Sequence, residues 1–260
     1  MPINVLSLPY EKNKKLKTIV CCVNGDKKLQ AYWKCSNVMA IERMGYSDHG
    51  PVHVKIVANS ALKMLRMLVE KGVVPSVVKD YDLTNEDAEV IVVLASIFHD
   101  LGMVVARETH GEHSLFIAMD FLKKYLSALY DEEHAVILTS ETLHAIATHH
   151  ANQKPLTLEA GIVRVADALD MEQGRARIPF SAGRVDIHSV SALSIERVKI
   201  ESGDEKSVII RIAMSNAAGI FQVDQLLRNK IEDSGLEKYV HVVATIAGEK
   251  KGKVIDKFEI

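Results

Sequence analysis

Cysteine is scarce in this chain. Its 260 residues include three, Cys21, Cys22 and Cys35, with no CxxC spacing among them. An odd, sparse set of thiols builds no disulfide scaffold and is the usage expected of a reducing cytoplasm. A surplus of charge is absent as well, since 32 basic residues stand against 34 acidic ones. Bulk electrostatics therefore offer no attraction to nucleic acid or to an anionic membrane surface. The amino terminus, "MPINVLSLPYEKNKKLKTIV", lacks the apolar stretch and small-residue cleavage site of a secretory signal. No apolar run reaches the ~18 residues that a bilayer-spanning helix needs. Internal repeats, low-complexity tracts and long linkers are missing too. The expectation is a cytoplasmic protein with no membrane or nucleic-acid partner, long enough to bury a core as one domain or two.

What the chain does have is helical periodicity. The first 25 residues are ambiguous: "TIVCCV" reads as a short strand, closed by a turn at Asn24-Gly25. From Asp26, a suitable N-cap, Leu29, Trp33, Val38 and Ile41 recur at helical intervals until Gly45. Pro51 suits the first position of a second helix that runs to Gly72. Thr84 and Asp87 have the spacing of a capping box, and the "AEVIVVLASIF" that follows is apolar nearly all round. Such a helix packs on several sides and belongs at the centre. Further helices are predicted over about 112–130 and 132–150, and after Thr157 through "LEAGIVRVADALDMEQG".

Beyond Pro179 the period changes to two. "IERVKIE", "SVIIRIAM", "HVVATIA" and "KVIDKFEI" read as strands, and "IFQVDQLLRNKIEDSG" as an amphipathic helix closed by Gly235. The predicted class is mainly α, a helical bundle with a small C-terminal α+β domain. Its divisions fall at 1–25, 26–180 and 181–260.

Metal-capable side chains crowd the helical part. His49, His53, His99, Asp100, His110, His113, His134, His144, His149, His150, Asp167 and Asp170 all lie there, mostly near predicted helix ends. Helix ends that face one cleft let a bundle assemble a site from distant parts of the chain. Imidazoles mixed with carboxylates suit manganese, iron, zinc or nickel better than calcium, which prefers oxygen shells. Taken alone, His134, His144, His188 and His241 read as surface or satisfied residues, and His99-Asp100 as a helix C-cap. The ordered series is more telling: a histidine opens one helix, His-Asp closes another, and Asp167 sits inside a later apolar helix where it needs a cationic partner.

"HVKIVANSALKML", "IFHDLGM" and "RVADALD" together resemble the H…HD…D signature of the HD superfamily of metal-dependent phosphohydrolases. The resemblance spans roughly residues 37–178. It implies a helical HD domain whose first metal is held by His53, His99, Asp100 and Asp167. His49 falls in the loop ahead of the first motif helix. Binuclear members, the HD-GYP type among them, add a histidine early in the next helix and a His-His pair. "THGEHSLFIAMDFL" and "IATHHANQKP" resemble these additions. The second metal would then take His113, with His110 as its rival, together with His149 and His150. Asp100 would bridge both ions, and one of the His-His pair could instead orient substrate. Met103 stands where HD-GYP proteins carry a lysine, and "ANQKPLTLEAG" replaces their Gly-Tyr-Pro stretch. Both departures argue against cyclic di-GMP as substrate.

The implied cofactor is a pair of divalent transition-metal ions, manganese or iron first, with magnesium, nickel or zinc as alternatives. Two such ions activate a water and clamp phosphoryl oxygens, so the implied substrate is a small phosphoester or nucleotide. Arginine and lysine beyond the ligands would neutralise phosphate. Lys154, Arg164, Arg175 and Arg177 are the nearest in sequence, with Lys154, Arg175 and Arg177 the substrate-binding candidates. The C-terminal domain reads as a dimerisation or regulatory appendage, so that a chain ending near residue 183 should still fold and bind metal. A metal-bound nucleotide sensor without turnover, or a scaffold stapled by metal, is the competing reading.

Overall fold

The computed structural model describes residues 5–150, 152–174, 187–246 and 257–259. The apolar segment after Thr84 becomes the central helix α5 (Asn85–Phe98), in which every residue from Val90 to Phe98 is buried. Around it pack α1 (Lys14–Gly25), α3 (Pro51–Glu70), α7 (Glu132–Ala147) and α8 (Leu158–Ala168). Between these run α2 (Lys27–Asn37), the short α4 (Ser76–Tyr81) and α6 (His110–Leu126). No described helix is long and apolar enough to cross a membrane.

Local chemistry sets the ends. Asp26 caps α2 by accepting from the Leu29 N–H at 3.1 Å. The segment continues as a π-helical turn, Val38–Arg43, and stops at Gly45, whose φ of 65° is left-handed. The stretch read as a strand is helical instead. Leu16, Ile19, Val20 and Val23 form one buried stripe of α1, while Cys21 and Cys22 face outward. Asn13 caps that helix, its Oδ1 accepting from the Leu16 N–H at 2.9 Å. A six-residue window is too short to separate a period of 3.6 from a period of two.

After residue 186 come α9 (Ile187–Leu193) and a sheet of β1 (Ile195–Ser202), β2 (Val208–Met214), β3 (Val240–Ile246) and β4 (Lys257–Glu259), in that order. β1 pairs antiparallel with β2, β2 parallel with β3, and β3 antiparallel with β4. A parallel pair requires a crossover, and residues 217–231 supply it. The crossover is helical throughout, as the amphipathic spacing predicts, but it is not regularly α and ends at Ile231, short of Gly235. It is a 3-10 turn (Ala217–Gly219), a π-helical turn (Gln222–Leu227) and α10 (Arg228–Ile231).

The expected boundary near residue 180 does not interrupt the core. One buried apolar cluster takes in the helices and also Ile195, Ile210, Leu227, Leu236 and Val242. Arg164 on α8, one of the basic residues nearest the motif in sequence, is 2% exposed and fastens the two parts. It donates to the carbonyls of Gln153 (2.8 Å), Asn229 (2.9 Å), Lys230 (3.1 Å) and Glu232 (3.2 Å). Beside it Gly161 lies so close to the crossover that a Cβ would sit 2.2 Å from the Ser234 carbonyl oxygen.

Two outcomes follow from this packing. A chain ending near residue 183 exposes the buried face of α8 and strips Arg164 of three of its four acceptors. It should therefore be insoluble or melt without cooperativity, as solubility and circular dichroism would show. Asp87 is the second case. Its carboxylate takes hydrogen bonds from Lys15 Nζ (2.7 Å), the Tyr130 hydroxyl (2.7 Å), and the Thr84 N–H (2.9 Å) and hydroxyl (2.7 Å). Burial alone would raise its pKa, but these donors lower it. A depressed carboxylate stabilises the fold above its unfolded pKa of about 3.9, and that contribution is lost as pH falls through the folded value. Asp87→Ala should cost about 2–4 kcal/mol at neutral pH, with the gap to wild type closing in acid, measured by urea unfolding.

Candidate metal centre

Five helix ends build the centre. Asp48 replaces the missing side-chain cap of α3, its Oδ1 accepting from the Gly50 (3.0 Å) and His53 (3.1 Å) N–H groups. His53 thereby enters the first turn of α3, fully buried. His99 and Asp100 end α5 and are also buried. They lead into a 3-10 turn, Leu101–Val104. Gly102 in that turn meets α6 so closely that a Cβ would lie 2.0 Å from the His110 carbonyl oxygen. The Ser114 hydroxyl accepts from the Gly102 N–H (2.8 Å) and donates to the His99 carbonyl (2.6 Å). These contacts dock the first turn of α6 on the His-Asp turn. His149 and His150 follow the end of α7, and Asp167 lies in the last turn of α8.

Two groups of candidate ligand atoms result, one of His53, His99 and Asp100, the other of His110, His149 and His150; within each they lie within 4.8 Å of one another. Asp167 Oδ1 adjoins the first group, 3.4 Å from His53 Nε2 and 3.6 Å from His99 Nε2. Asp100 reaches both, with Oδ2 3.2 Å from His53 Nε2 and Oδ1 3.1 Å from His110 Nε2.

The proton positions decide whether a cation fits. His53 Nδ1 donates to Asp170 Oδ2 (2.6 Å), His99 Nδ1 to the Ser96 carbonyl (2.9 Å), His110 Nδ1 to the Arg107 carbonyl (2.5 Å) and His149 Nδ1 to the Ile146 carbonyl (2.6 Å). These oxygens only accept, so Nδ1 carries the proton and a neutral ring presents a lone pair at Nε2. The Nε2 atoms nevertheless face one another, at 3.1 Å for His53 and His99, 3.3 Å for His110 and His149, and 3.1 Å for His110 and His150. Asp100 Oδ2 is buried among them and accepts no hydrogen bond from the described residues. Converging lone pairs repel unless a cation sits between them. The donor set therefore fits a divalent metal, with each Nδ1–H anchored as metal-binding imidazoles usually are.

The electrostatics agree. Burial pushes Asp100 up, but His99, His49, His110 and His53 hold it well below the carboxylate range. Burial likewise opposes the ionised Asp167, yet Lys230, His53 and His99 hold it well below that range. Burial, then His150 and His99, drive His149 far down, and burial with His110 and Lys230 lowers His150 to about 4. Both rings are thus neutral, the form that binds metal. Burial opposes a charged His110, but its hydrogen bond and charge attraction to Asp100, with the Arg107 carbonyl and Asp167, together shift it up. A proton or a metal must lie between His110 and Asp100.

Not every predicted residue joins the centre. His113 is half-buried on α6 and outside both groups, so the structure brings in its rival His110. His49 lies in the preceding loop, Nδ1 donating to the Ser47 carbonyl (2.8 Å), its ring 5.9 Å from that of His53. His134 pairs with Asp131 (2.6 Å), and His144 accepts from the Leu156 N–H (2.9 Å). Met103 is buried in the turn. Lys154 is exposed and pairs with Asp233 at 3.2 Å. Arg175 and Arg177 lie outside the described residues. Sequence reasoning missed Asp48 as the cap of α3 and Lys230 altogether. Lys230, on the crossover, donates to Asp167 Oδ2 at 3.1 Å, and no spacing rule connects it to the motif.

The HD domain family model matches residues 52–172. Over 225 residues the chain is 48% identical to an uncharacterised protein of Methanocaldococcus jannaschii, covering 86% of this chain and 87% of that one. It is 28% identical over 145 residues to a ribonuclease Y of Alkaliphilus metalliredigens, covering 53% of this chain and 28% of the relative. With the ribonuclease Y of Bacillus subtilis it shares 27% identity over 174 residues, 64% of this chain and 31% of the relative. The chain spans less than a third of these two ribonuclease Y proteins. The fold and the buried His/Asp centre are those of a metal-dependent phosphohydrolase family. The chain belongs to the HD-domain family.

Exchange of the two rival histidines separates them. His110→Ala should lower the metal bound per chain on reconstitution, whereas His113→Ala should leave it unchanged, both read by elemental analysis.

Proposed function

We propose that this chain is a binuclear HD phosphohydrolase acting on a phosphoester or nucleotide. The first metal would be held by His53, His99, Asp100 and Asp167, the second by His110, His149 and His150, with Asp100 shared. The observation that carries this reading is the convergence of imidazole Nε2 atoms and carboxylate oxygens on two adjacent points, with Nδ1 of four of the rings held behind by a carboxylate or backbone carbonyl. Manganese or iron suits that mixed nitrogen and oxygen set best. When bound, two such ions lower the pKa of a water towards neutrality and neutralise charge on a phosphoryl group.

The chain's own residues supply the rest. Asp100 presents one oxygen to each group, a placement that fits a bridging ligand. Asp170 holds His53 in one tautomer and orientation. The histidines bind without adding negative charge, which leaves the centre open to an anionic phosphate. Cyclic di-GMP is not the favoured substrate, given Met103 and the sequence after His150. The names of the ribonuclease Y relatives make an RNA phosphodiester a second substrate class worth testing against small phosphoesters.

The test is a reconstituted enzyme screened on phosphoesters, nucleotides and short RNA with Mn²⁺, Fe²⁺, Mg²⁺ and Ni²⁺. Binding of about two ions per chain with release of product supports the reading. One ion or none removes the second site, and bound metal without turnover on any substrate favours a nucleotide sensor. Asp100→Ala should abolish both metal retention and hydrolysis. Asp170→Ala should reduce them by about 10–100-fold, the usual cost of a lost outer partner.

A further inference from the structure

The carboxylate of Asp167 has two differently engaged oxygens. Oδ1 faces His53 and His99, while Oδ2 takes a hydrogen bond from Lys230 Nζ at 3.1 Å. The same ammonium donates to the His149 carbonyl at 2.5 Å. One side chain thus ties a residue beside the first ligand group to the backbone of a residue in the second. Lys230 is mostly buried there, its side chain 16% exposed. Its backbone is held as firmly as its tip. The buried Arg164 guanidinium donates to the carbonyl of Lys230 and to those of Asn229 and Glu232, and Gly161 lets α8 touch the chain at Ser234.

We propose that Lys230 is a positioning residue of the metal centre: it fixes Asp167 with Oδ1 toward the first ion and Oδ2 turned away, and holds that carboxylate in register with His149. This rests on the metal-centre reading above and extends it to the C-terminal part, which becomes a component of the centre instead of an appendage. The sign of the effect follows from the pairing. An ammonium repels a dication, but the charge of Lys230 is answered by Asp167 Oδ2 in direct contact, so little net repulsion is left. The geometric restraint on Asp167 and His149 remains, and losing it should weaken metal binding.

The experiment is Mn²⁺ binding by the full chain, measured by chelator competition and by elemental analysis, on wild type, Lys230→Met, Lys230→Gln, Lys230→Arg and Lys238→Met. Lys238 is an exposed lysine of the same C-terminal part, with Nζ over the Tyr239 ring 4.8 Å from its centroid. Lys230→Met should bind Mn²⁺ about 10–100-fold more weakly, the scale of an outer-shell partner. Lys230→Arg, which keeps the charge and can span both acceptors, should recover most of the loss, and Lys238→Met should match wild type. Melting of the metal-free proteins separates this from a fold defect. If Lys230→Met does not fold, Lys230→Gln decides, because its amide can keep one contact without the charge. Unchanged or tighter Mn²⁺ binding by a folded Lys230→Met or Lys230→Gln chain overturns the proposal. A wild-type chain that takes up no Mn²⁺ overturns the metal-centre reading beneath it.

Discussion

The structure depends on a cluster of buried hydrogen-bond acceptors aimed at one another. Imidazole lone pairs and carboxylate oxygens cost free energy when removed from water, and they cost more when they face like groups. His53, His99 and Asp100 are buried almost completely, and among the described residues Asp100 Oδ2 accepts no hydrogen bond. The remaining polar atoms of these rings are satisfied to the rear, by Asp170 and by backbone carbonyls. A cation is the one partner that resolves such an arrangement without rearranging the helices. The fold around the centre can then be understood as what holds these acceptors against their mutual repulsion.

That holding is done by short, specific contacts. Gly102 and Ser114 dock α6 on the His-Asp turn, which carries His110 to Asp100. Asp48 caps α3 and aims its first turn. The apolar α5 presents His99 and Asp100 at its C-terminal end, where the last carbonyls have no intrahelical partner and that of Ser96 anchors the His99 ring. Arg164 and Gly161 press the crossover against α8. The C-terminal sheet therefore has a direct path to the centre, through α10 and Lys230 to Asp167.

The helical class, the α3 and α5 boundaries and the ordered His, His-Asp, Asp series were legible because each rests on local pattern. Caps, prolines and apolar periodicity act over a few residues, and so can be read along the chain. Other features were not. "TIVCCV" is compatible with strand or helix until α5 offers a surface for Leu16, Ile19 and Val23 to share. The segment 217–231 is helical as its amphipathic spacing suggests, but that spacing does not encode its 3-10 and π-helical turns or the carbonyls it presents to Arg164. His110 and His113 are three residues apart and so near neighbours on a helix. Only the contact of Ser114, one turn after His110, shows which face of α6 meets the His-Asp turn.

By itself the sequence determined which residue types are available, where α2, α3 and α5 begin, and that histidines and aspartates gather at helix ends. Those properties follow from backbone capping and from the period of apolar residues, which are local. Tertiary structure alone decided that His110 stands beside Asp100, that Arg164 is a buried clamp, and that Lys230 reaches Asp167 from 63 residues further along the chain. Each is a contact between elements distant in sequence. Its existence depends on how the helices pack around α5, and no spacing rule encodes that.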